Sequence, residues 1–488
     1  MQFNSFAFLV FLPIVFLLYW KGVRGLRWQN LLIVTASYMF YGWWDARFLS
    51  LVVLTSMLSF AGGLLTERYE GRRNRQKMVC TTVIVSNLLI LAVFKYFNFF
   101  VTSLVALVRP LGIEPDWVTL HVVLPVGISF YTFQALSYTI DVYRKELPAT
   151  HDVVEFLAYI SFFPQLVAGP IERASRLLPQ FQRHRRFDYV QAVDGCRQML
   201  WGFFKKMVIA DNCALAVNQI WAGYQDQTGL VLMVGGVLFA FQIYCDFSGY
   251  SDIAIGCARL FGFSLMRNFD YPYFSRSIPE FWHRWHISLT TWFRDYVYIP
   301  LGGSREGRWK TVRNIYVVWA VSGLWHGANW TFVWWGLYHG TLLTASRLLD
   351  VRKENRRTVA CGHWLSAVRE GVQMSFTFFL VVTGWVVFRA GTMGDAVAYL
   401  DRMYSTSLLD VGGSADMLQD LRLGTVVPAI VFMLLCEWVQ RNRCHALQLS
   451  SNSRFMRYTT FRYAFYIVLA MMTLALAGSS SEFIYFQF

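Results

Sequence analysis

The amino-acid sequence predicts an all-α polytopic membrane protein, a helical bundle with about twelve crossings in which some helices are broken or re-entrant. Its 488 residues are 56% hydrophobic and only 15% charged, whereas soluble domains carry about 25% charged residues. Mean hydropathy is positive, at +0.38. The apolar residues gather into runs close to the roughly 20 residues that cross about 30 Å of hydrocarbon. Between those runs, basic residues gather in alternate loops.

The clearest runs are Phe6–Tyr19, Leu31–Trp44, Leu49–Leu65, Met78–Val101 and Phe461–Ala477. The first has no basic leader and no small-residue cleavage pattern, so it reads as a retained span rather than a secretory signal. The formal net charge of +14 sits in short loops beside apolar runs, which argues for membrane orientation and against nucleic-acid binding. None of the eight cysteines forms a C-x-x-C pair, and most lie in or beside apolar segments, where a thiol behaves as a small hydrophobe. A disulfide framework or a cysteine metal site is therefore not expected.

Orientation follows from the loops. Lys21, Arg24 and Arg27 follow the first span, and Arg68, Arg72, Arg73, Arg75 and Lys77 follow the third. Further basic groups are Arg144 with Lys145, Arg173 to Arg186, 267–313, Arg352 to Arg357 and Arg441 to Arg457. All are expected on the cytoplasmic side. The segment 390–423 carries Asp395, Asp401, Asp410, Asp416 and Asp420 against Arg402 and Arg422, and is expected as an extracytoplasmic loop. Both termini then fall outside. The chain reads as one membrane domain, 1–488, with 267–313 as a cytoplasmic or interfacial element of short amphipathic helices.

Two segments resist a simple span count. Phe156–Pro170 is apolar yet flanked on both sides by basic residues, and Tyr316–Leu343 must turn near Gly327. Irregular backbone at membrane depth is tolerated where it is buried in protein or lines a cavity.

Ionisable residues in apolar segments are costly and therefore candidates for function. His326, in Leu324–Asn329 (LWHGAN), can serve as a general base near neutral pH. From position alone, a histidine that hydrogen-bonds a neighbouring helix accounts for it equally well. In Glu280–His286 (EFWHRWH), a continuous helix would place His283 and His286 near one face. For His286 a polar partner lining the site is favoured over a metal ligand, because third-ligand candidates are distant in sequence. His283 reads as interfacial. His339 lies thirteen residues beyond His326 and reads as helix packing. Asp246 and Asp252, in Tyr244–Asp252 (YCDFSGYSD), either orient a base or act as capping groups. Gly302-Gly303 lacks the remainder of a phosphate-binding loop, and no G-x-S-x-G elbow is present.

On the stretches Leu124–Gln134 (LPVGISFYTFQ), Gln165–Ile171 (QLVAGPI), Tyr244–Asp252, Phe281–Leu289 with Arg294-Asp295-Tyr296, and Leu324–Asn329, the sequence resembles the membrane-bound O-acyltransferase family. The likeness is greatest to its bacterial polysaccharide O-acetyltransferase branch. It runs through almost the whole chain. It implies a helical bundle with a central funnel or tunnel, His326 as the catalytic histidine and His286 as the second histidine of the polar site. It also implies supporting roles for Asp246, Ser248, Tyr250, Asp252, Trp325 and Asn329. By the same resemblance the acyl donor is cytoplasmic acetyl-CoA, with no bound cofactor or metal. The acceptor is an exopolysaccharide such as alginate or cellulose, reached through a periplasmic partner of the SGNH-hydrolase type.

Peptidoglycan acylation and teichoic acid D-alanylation are alternatives within the same chemistry. A polysaccharide or solute transporter is the alternative from another class, since many spans and intramembrane histidines describe transporters as well. No inverted repeat is evident in the sequence to favour it.

Overall fold

The computed structural model describes residues 1–111, 123–349, 364–421, 423–448, 458–479, 481 and 483–484. The basic run Arg352–Arg357 and the end of the run Arg441–Arg457 lie outside the described residues. Among the described residues the regular elements are helices. Among the described residues, four helical stretches are long and apolar enough to cross a membrane: Leu26–Arg68, Arg73–Val105, Gly229–Leu260 and Ser366–Arg389. Phe6–Gly22, Leu423–Val439 and Thr459–Ala475 are shorter apolar helices. The residues cluster into two compact units, Met1–Cys196 with Ala254–Met266, and Arg197–Ile253 with Arg267–Phe488.

The first unit is built from α1 (Phe6–Leu17), α2 (Leu26–Asp45), α3 (Leu49–Arg68), α4 (Arg73–Val108), α5 (Ile128–Tyr143), α6 (Val153–Ser161), α7 (Phe163–Leu166), α8 (Ala174–Phe181) and the start of α9 (Tyr189–Phe203). Asp45 divides the long run between α2 and α3 by accepting from the backbone N–H of Arg47 and pairing with its guanidinium at 2.6 Å. Each of these 20-residue helices is then about 30 Å long at 1.5 Å per residue. The surface of α1 is apolar, with Phe6, Leu9, Ile14 and Leu17 exposed, whereas Ser56, Ser59 and Thr66 of α3 are buried. That inversion suits lipid: apolar side chains face the solvent, and small residues let helices approach. Gly63 shows why, since a Cβ there would collide with the Tyr138 ring of α5. Ser56 and Thr66 donate to the carbonyls of Val52 and Gly62, so their hydroxyls remain paired without water.

The awkward segment Phe156–Pro170 is broken at Phe162, between α6 and α7, and the residues from Phe156 to Pro170 are almost wholly buried. Gln134 Nε2 donates to the Tyr159 carbonyl at 2.9 Å, and Gln165 Nε2 donates to the same carbonyl at 3.2 Å. Gly127, at φ +76°, lies where a Cβ would stand 2.7 Å from the Leu166 carbonyl. The stretches Leu124–Gln134 and Gln165–Ile171 therefore meet each other as packing.

Basic loops of this unit share one end. Lys145, after α5, pairs with Glu70, after α3, at 2.6 Å. Arg185, after α8, donates to Asn30 in the first turns of α2 at 2.7 Å.

The second unit holds the end of α9, α10 (Asp211–Ala222), most of α11 (Gly229–Leu260), α12 (Ile278–Arg284), α13 (Ile287–Phe293), α14 (Arg308–His326), α15 (Trp330–Leu348), α16 (Trp364–Arg389), α17 (Met393–Met403), α18 (Ala415–Asp420), α19 (Leu423–Val439) and α20 (Thr459–Ala475). The segment 390–423 contains α17 and α18. Beyond α9 the chain winds as a π-helix over Phe204–Ala210. Gly202 and Gly249 let the backbones of α9 and α11 touch, a Cβ at either meeting the other's carbonyl at 2.6 to 2.8 Å.

α14 and α15 form an antiparallel hairpin. Gly323 packs on the Phe332 carbonyl and Gly336 on the Trp319 carbonyl, so neither position has room for a side chain. The helix ends at His326. Asn329 caps α15 by accepting from Thr331 N at 3.2 Å and donates its Nδ2–H to the Gly391 carbonyl at 2.8 Å.

Candidate active site

A cavity of about 560 Å³ lies inside the second unit, lined by α12, α13, the turn after α13, α14 and α15. On α14 its wall consists of Ile315, Val318, Trp319, Ser322 and His326, a spacing of three and four that marks one helix face. From Ile315 to His326 that face runs roughly 16 Å at 1.5 Å per residue. His326, 5% exposed, closes one end. Because α15 is antiparallel, Leu343, Ser346 and Arg347 line the cavity at the far end of α14. There Arg347 also lines a smaller adjoining cavity of about 340 Å³, together with Arg308. Arg294 and His283 add further polar groups to the wall.

His286 lines the same cavity and is 1% exposed. Sequence spacing predicts one helix face for His283 and His286, and the structure corrects this. α12 stops at Arg284, Trp285 is extended, and His286 is left-handed at φ 42°, ψ 54°. A non-glycine residue at positive φ costs roughly 1–3 kcal/mol and persists only where its surroundings fix it. Here Ile287 N–H donates to the Asn268 carbonyl at 2.8 Å and Asp270 N–H donates to the Arg284 carbonyl at 2.9 Å. Ser277 caps α12, and Glu280 of that turn accepts from the Arg276 backbone N–H and pairs with Arg284.

The side chain of Asn268 completes the setting. Its Nδ2 donates to Ser251 Oγ at 3.2 Å, so Oδ1 is the acceptor, and it receives the Ser288 hydroxyl at 2.9 Å and His286 Nδ1 at 3.1 Å. An accepting oxygen requires the proton on Nδ1, which leaves Nε2 as the acceptor nitrogen of a neutral ring. His286 lies outside the long apolar helices, and burial holds its pKa far below the ordinary histidine range, at about 3. Phe247 of α11 stands edge-on to the ring at 4.6 Å.

Trp325 is wedged between the two histidines, its centroid 5.9 Å from the ring of His286 and 5.0 Å from that of His326. Trp335 and Phe388 pack on the other sides of His326 at 5.0 and 5.4 Å. His339 is buried among Trp282, Trp319, Trp335 and Tyr338, and it does not line the cavity.

The remaining candidates lie elsewhere. Asp246 pairs with Lys206 at 2.7 Å and accepts from the backbone N–H of Ile484. Asp252 pairs with Lys205 at 2.7 Å, and Ser248 accepts from the same ammonium at 2.9 Å. Lys206 also reaches Asp211 at 2.8 Å, and the Tyr250 ring packs at a tilt against Phe483, 5.1 Å between centroids. This buried ion network holds the π-turn after α9 against α11 and ties Ser481 to it through Lys206 and Asp211. None of Asp246, Ser248, Tyr250, Asp252 or Asn329 lines the cavity. From the motif Tyr244–Asp252 it is Phe247 and Ser251, on the opposite face of α11, that reach toward His286.

Sequence reasoning missed Asn268, Ser288, Ser322 and Arg347. Ser322 stands one helical turn before His326, a spacing that was available; Asn268 sits in irregular chain and has no periodic signal. Among the described residues no group of three histidine, cysteine or acidic side chains is placed to hold a metal.

The family model of the membrane-bound O-acyltransferases matches residues 38–359. The sequence is 42% identical to a probable alginate O-acetylase AlgI of Azotobacter vinelandii, over 83% of this chain and 78% of that protein. It is 40% identical to the corresponding Pseudomonas aeruginosa protein, over 89% and 81%. It is 30% identical to a peptidoglycan O-acetyltransferase of Helicobacter pylori, over 100% of this chain and 97% of that one.

Proposed function

This chain belongs to the membrane-bound O-acyltransferase family, and from that premise we propose that it passes an acetyl group from cytoplasmic acetyl-CoA toward alginate or a related exopolysaccharide. The observation that carries the reading is one continuous cavity, with buried His326 and His286 at one end and Arg347 at the other. An anionic, phosphate-bearing donor suits the basic end, and its thioester then points to the histidines.

In the reaction, His326 takes the proton of the acceptor hydroxyl as its oxygen attacks the thioester carbonyl. The C–O bond forms, the C–S bond breaks, and the leaving thiolate recovers the proton from His326. General-base assistance of this kind is worth roughly 10²–10⁴ in rate. His286, with Nε2 as acceptor, suits holding an N–H or O–H of a substrate better than donating to the oxyanion.

The chain is an O-acyltransferase. About twelve crossings, an inner-membrane location with both termini extracytoplasmic, and a funnel that narrows at His326 complete the reading. The basic loops gathered at one end of the first unit support a cytoplasmic end there. A periplasmic SGNH-type protein carrying the acetyl group onward is the proposed partner. Alginate is favoured over peptidoglycan because the alginate O-acetylases are the more similar relatives, at 40–42% against 30% identity.

The test is His326→Ala, purified in detergent and assayed for acceptor-dependent release of the free thiol from acetyl-CoA. A fall of at least roughly 10²-fold with an unchanged melting profile is expected. Transfer at the parental rate would overturn the assignment.

A further inference from the structure

Trp282 forms part of the cavity wall and is held from behind. Its indole Nε1–H donates to His339 Nδ1 at 3.3 Å. Its ring packs edge-on against Trp319 at 4.4 Å and Trp335 at 5.6 Å. Behind it, His339 is fully buried, and its Nε2 has no hydrogen-bond partner among the described residues. Since Nδ1 accepts, the ring is neutral with its proton on Nε2. That nitrogen abuts Gly384 of α16, where a Cβ would stand 2.8 Å away, so a side chain at 384 would displace the imidazole.

A buried donor without an acceptor lowers stability, and an apolar side chain of similar size would avoid that loss. What an apolar residue cannot supply is an acceptor for the Trp282 indole, which fixes the angle of that wall. Trp335, behind the cavity wall, touches Trp282 at 5.6 Å and His326 at 5.0 Å, so these two lining residues border neighbouring parts of the same cavity. A group bound against His326 therefore meets the Trp282 wall.

We propose that Trp282, oriented by His339, sets the size of the acyl group accepted at His326, admitting acetyl and rejecting longer chains. Trp282 is the specificity-determining residue and His339 a positioning residue that acts through it. The inference rests on the acyl-transfer reading given above. Each added methylene that must displace a fixed wall lowers kcat/KM by roughly tenfold or more.

The experiment compares acetyl-, propionyl- and butyryl-CoA with the full-length protein in detergent, measuring kcat/KM for acceptor-dependent thiol release. The parental protein should favour acetyl over butyryl by roughly a hundredfold. Trp282→Leu should reduce that ratio to within about tenfold, and His339→Leu should move it in the same direction. His339→Gln, which can still offer an acceptor oxygen, should restore the parental ratio. A purely structural role for His339 would lower all three rates together and leave the ratio unchanged. An unchanged ratio in Trp282→Leu, or in Trp282→Phe should the leucine variant not fold, overturns the proposal. Absence of thiol release from acetyl-CoA in the parental protein instead overturns the acyl-transfer reading.

Discussion

Two buried polar systems within the second unit look alike in sequence and differ in structure. One comprises His286 and His326, which open onto a cavity of about 560 Å³. The other comprises Lys205, Lys206, Asp211, Asp246 and Asp252, whose opposite charges stand 2.7 to 2.8 Å apart and which line none of that cavity. Both consist of ionisable groups that are costly in an apolar setting. In the ion network that cost is offset internally, Lys206 being paired with two carboxylates and Lys205 with one carboxylate and the Ser248 hydroxyl. The histidines instead keep their polar atoms beside a space large enough for a substrate. Burial of a charge marks importance, and access to a cavity separates chemistry from architecture.

The sharpest way to break this comparison is to remove one charge from the closed system. Lys206→Met leaves Asp211 and Asp246 facing each other without their cation. It should destabilise the fold by about 3–5 kcal/mol, because an uncompensated buried charge remains. Thermal unfolding in detergent measures this, and a variant as stable as the parent would show that the network is dispensable. His286→Ala should do the reverse, leaving the melting profile near the parental one while lowering the rate by roughly 10- to 100-fold, the loss of one buried hydrogen bond to substrate and less than His326→Ala. Asn268→Ala should reproduce part of that loss, since it removes the acceptor that fixes the tautomer.

Smaller effects belong to the far end of the cavity and to its frame. Arg347→Ala should raise the acetyl-CoA concentration at half-maximal rate by roughly three- to tenfold, with the difference shrinking at high salt. A salt-independent change would argue against an electrostatic contact with the donor. Asn329→Ala removes the cap of α15 and should cost about 1 kcal/mol in stability. Its effect on rate should be modest, because Asn329 frames the hairpin and does not line the cavity. A collapse in rate with an unchanged melting profile would instead place Asn329 among the substrate contacts.

Much of this molecule was legible in the chain. The long apolar runs required helices, because backbone groups in hydrocarbon must find partners within their own segment. The need for a turn near Gly327 followed from the length of the segment Tyr316–Leu343, and α14 does end at His326. His326 and His286 stood out as polar residues in apolar surroundings. The role of Tyr244–Asp252 was not legible, because a motif of alternating polar and aromatic residues on a helix faces several directions at once. Phe247 and Ser251 turn toward His286, while Asp246, Ser248 and Asp252 turn toward the lysines.

Composition and run length by themselves determined a helical membrane protein, because hydrophobic thickness and backbone pairing depend only on local chain. Tertiary structure decided which polar residues share a space. Asn268, eighteen residues before His286, reaches it because the chain reverses at α12, and Arg347 joins His326 in one cavity because α14 and α15 are antiparallel. A cavity is the gap left between packed elements, and no periodicity along the chain encodes which side chains will border it.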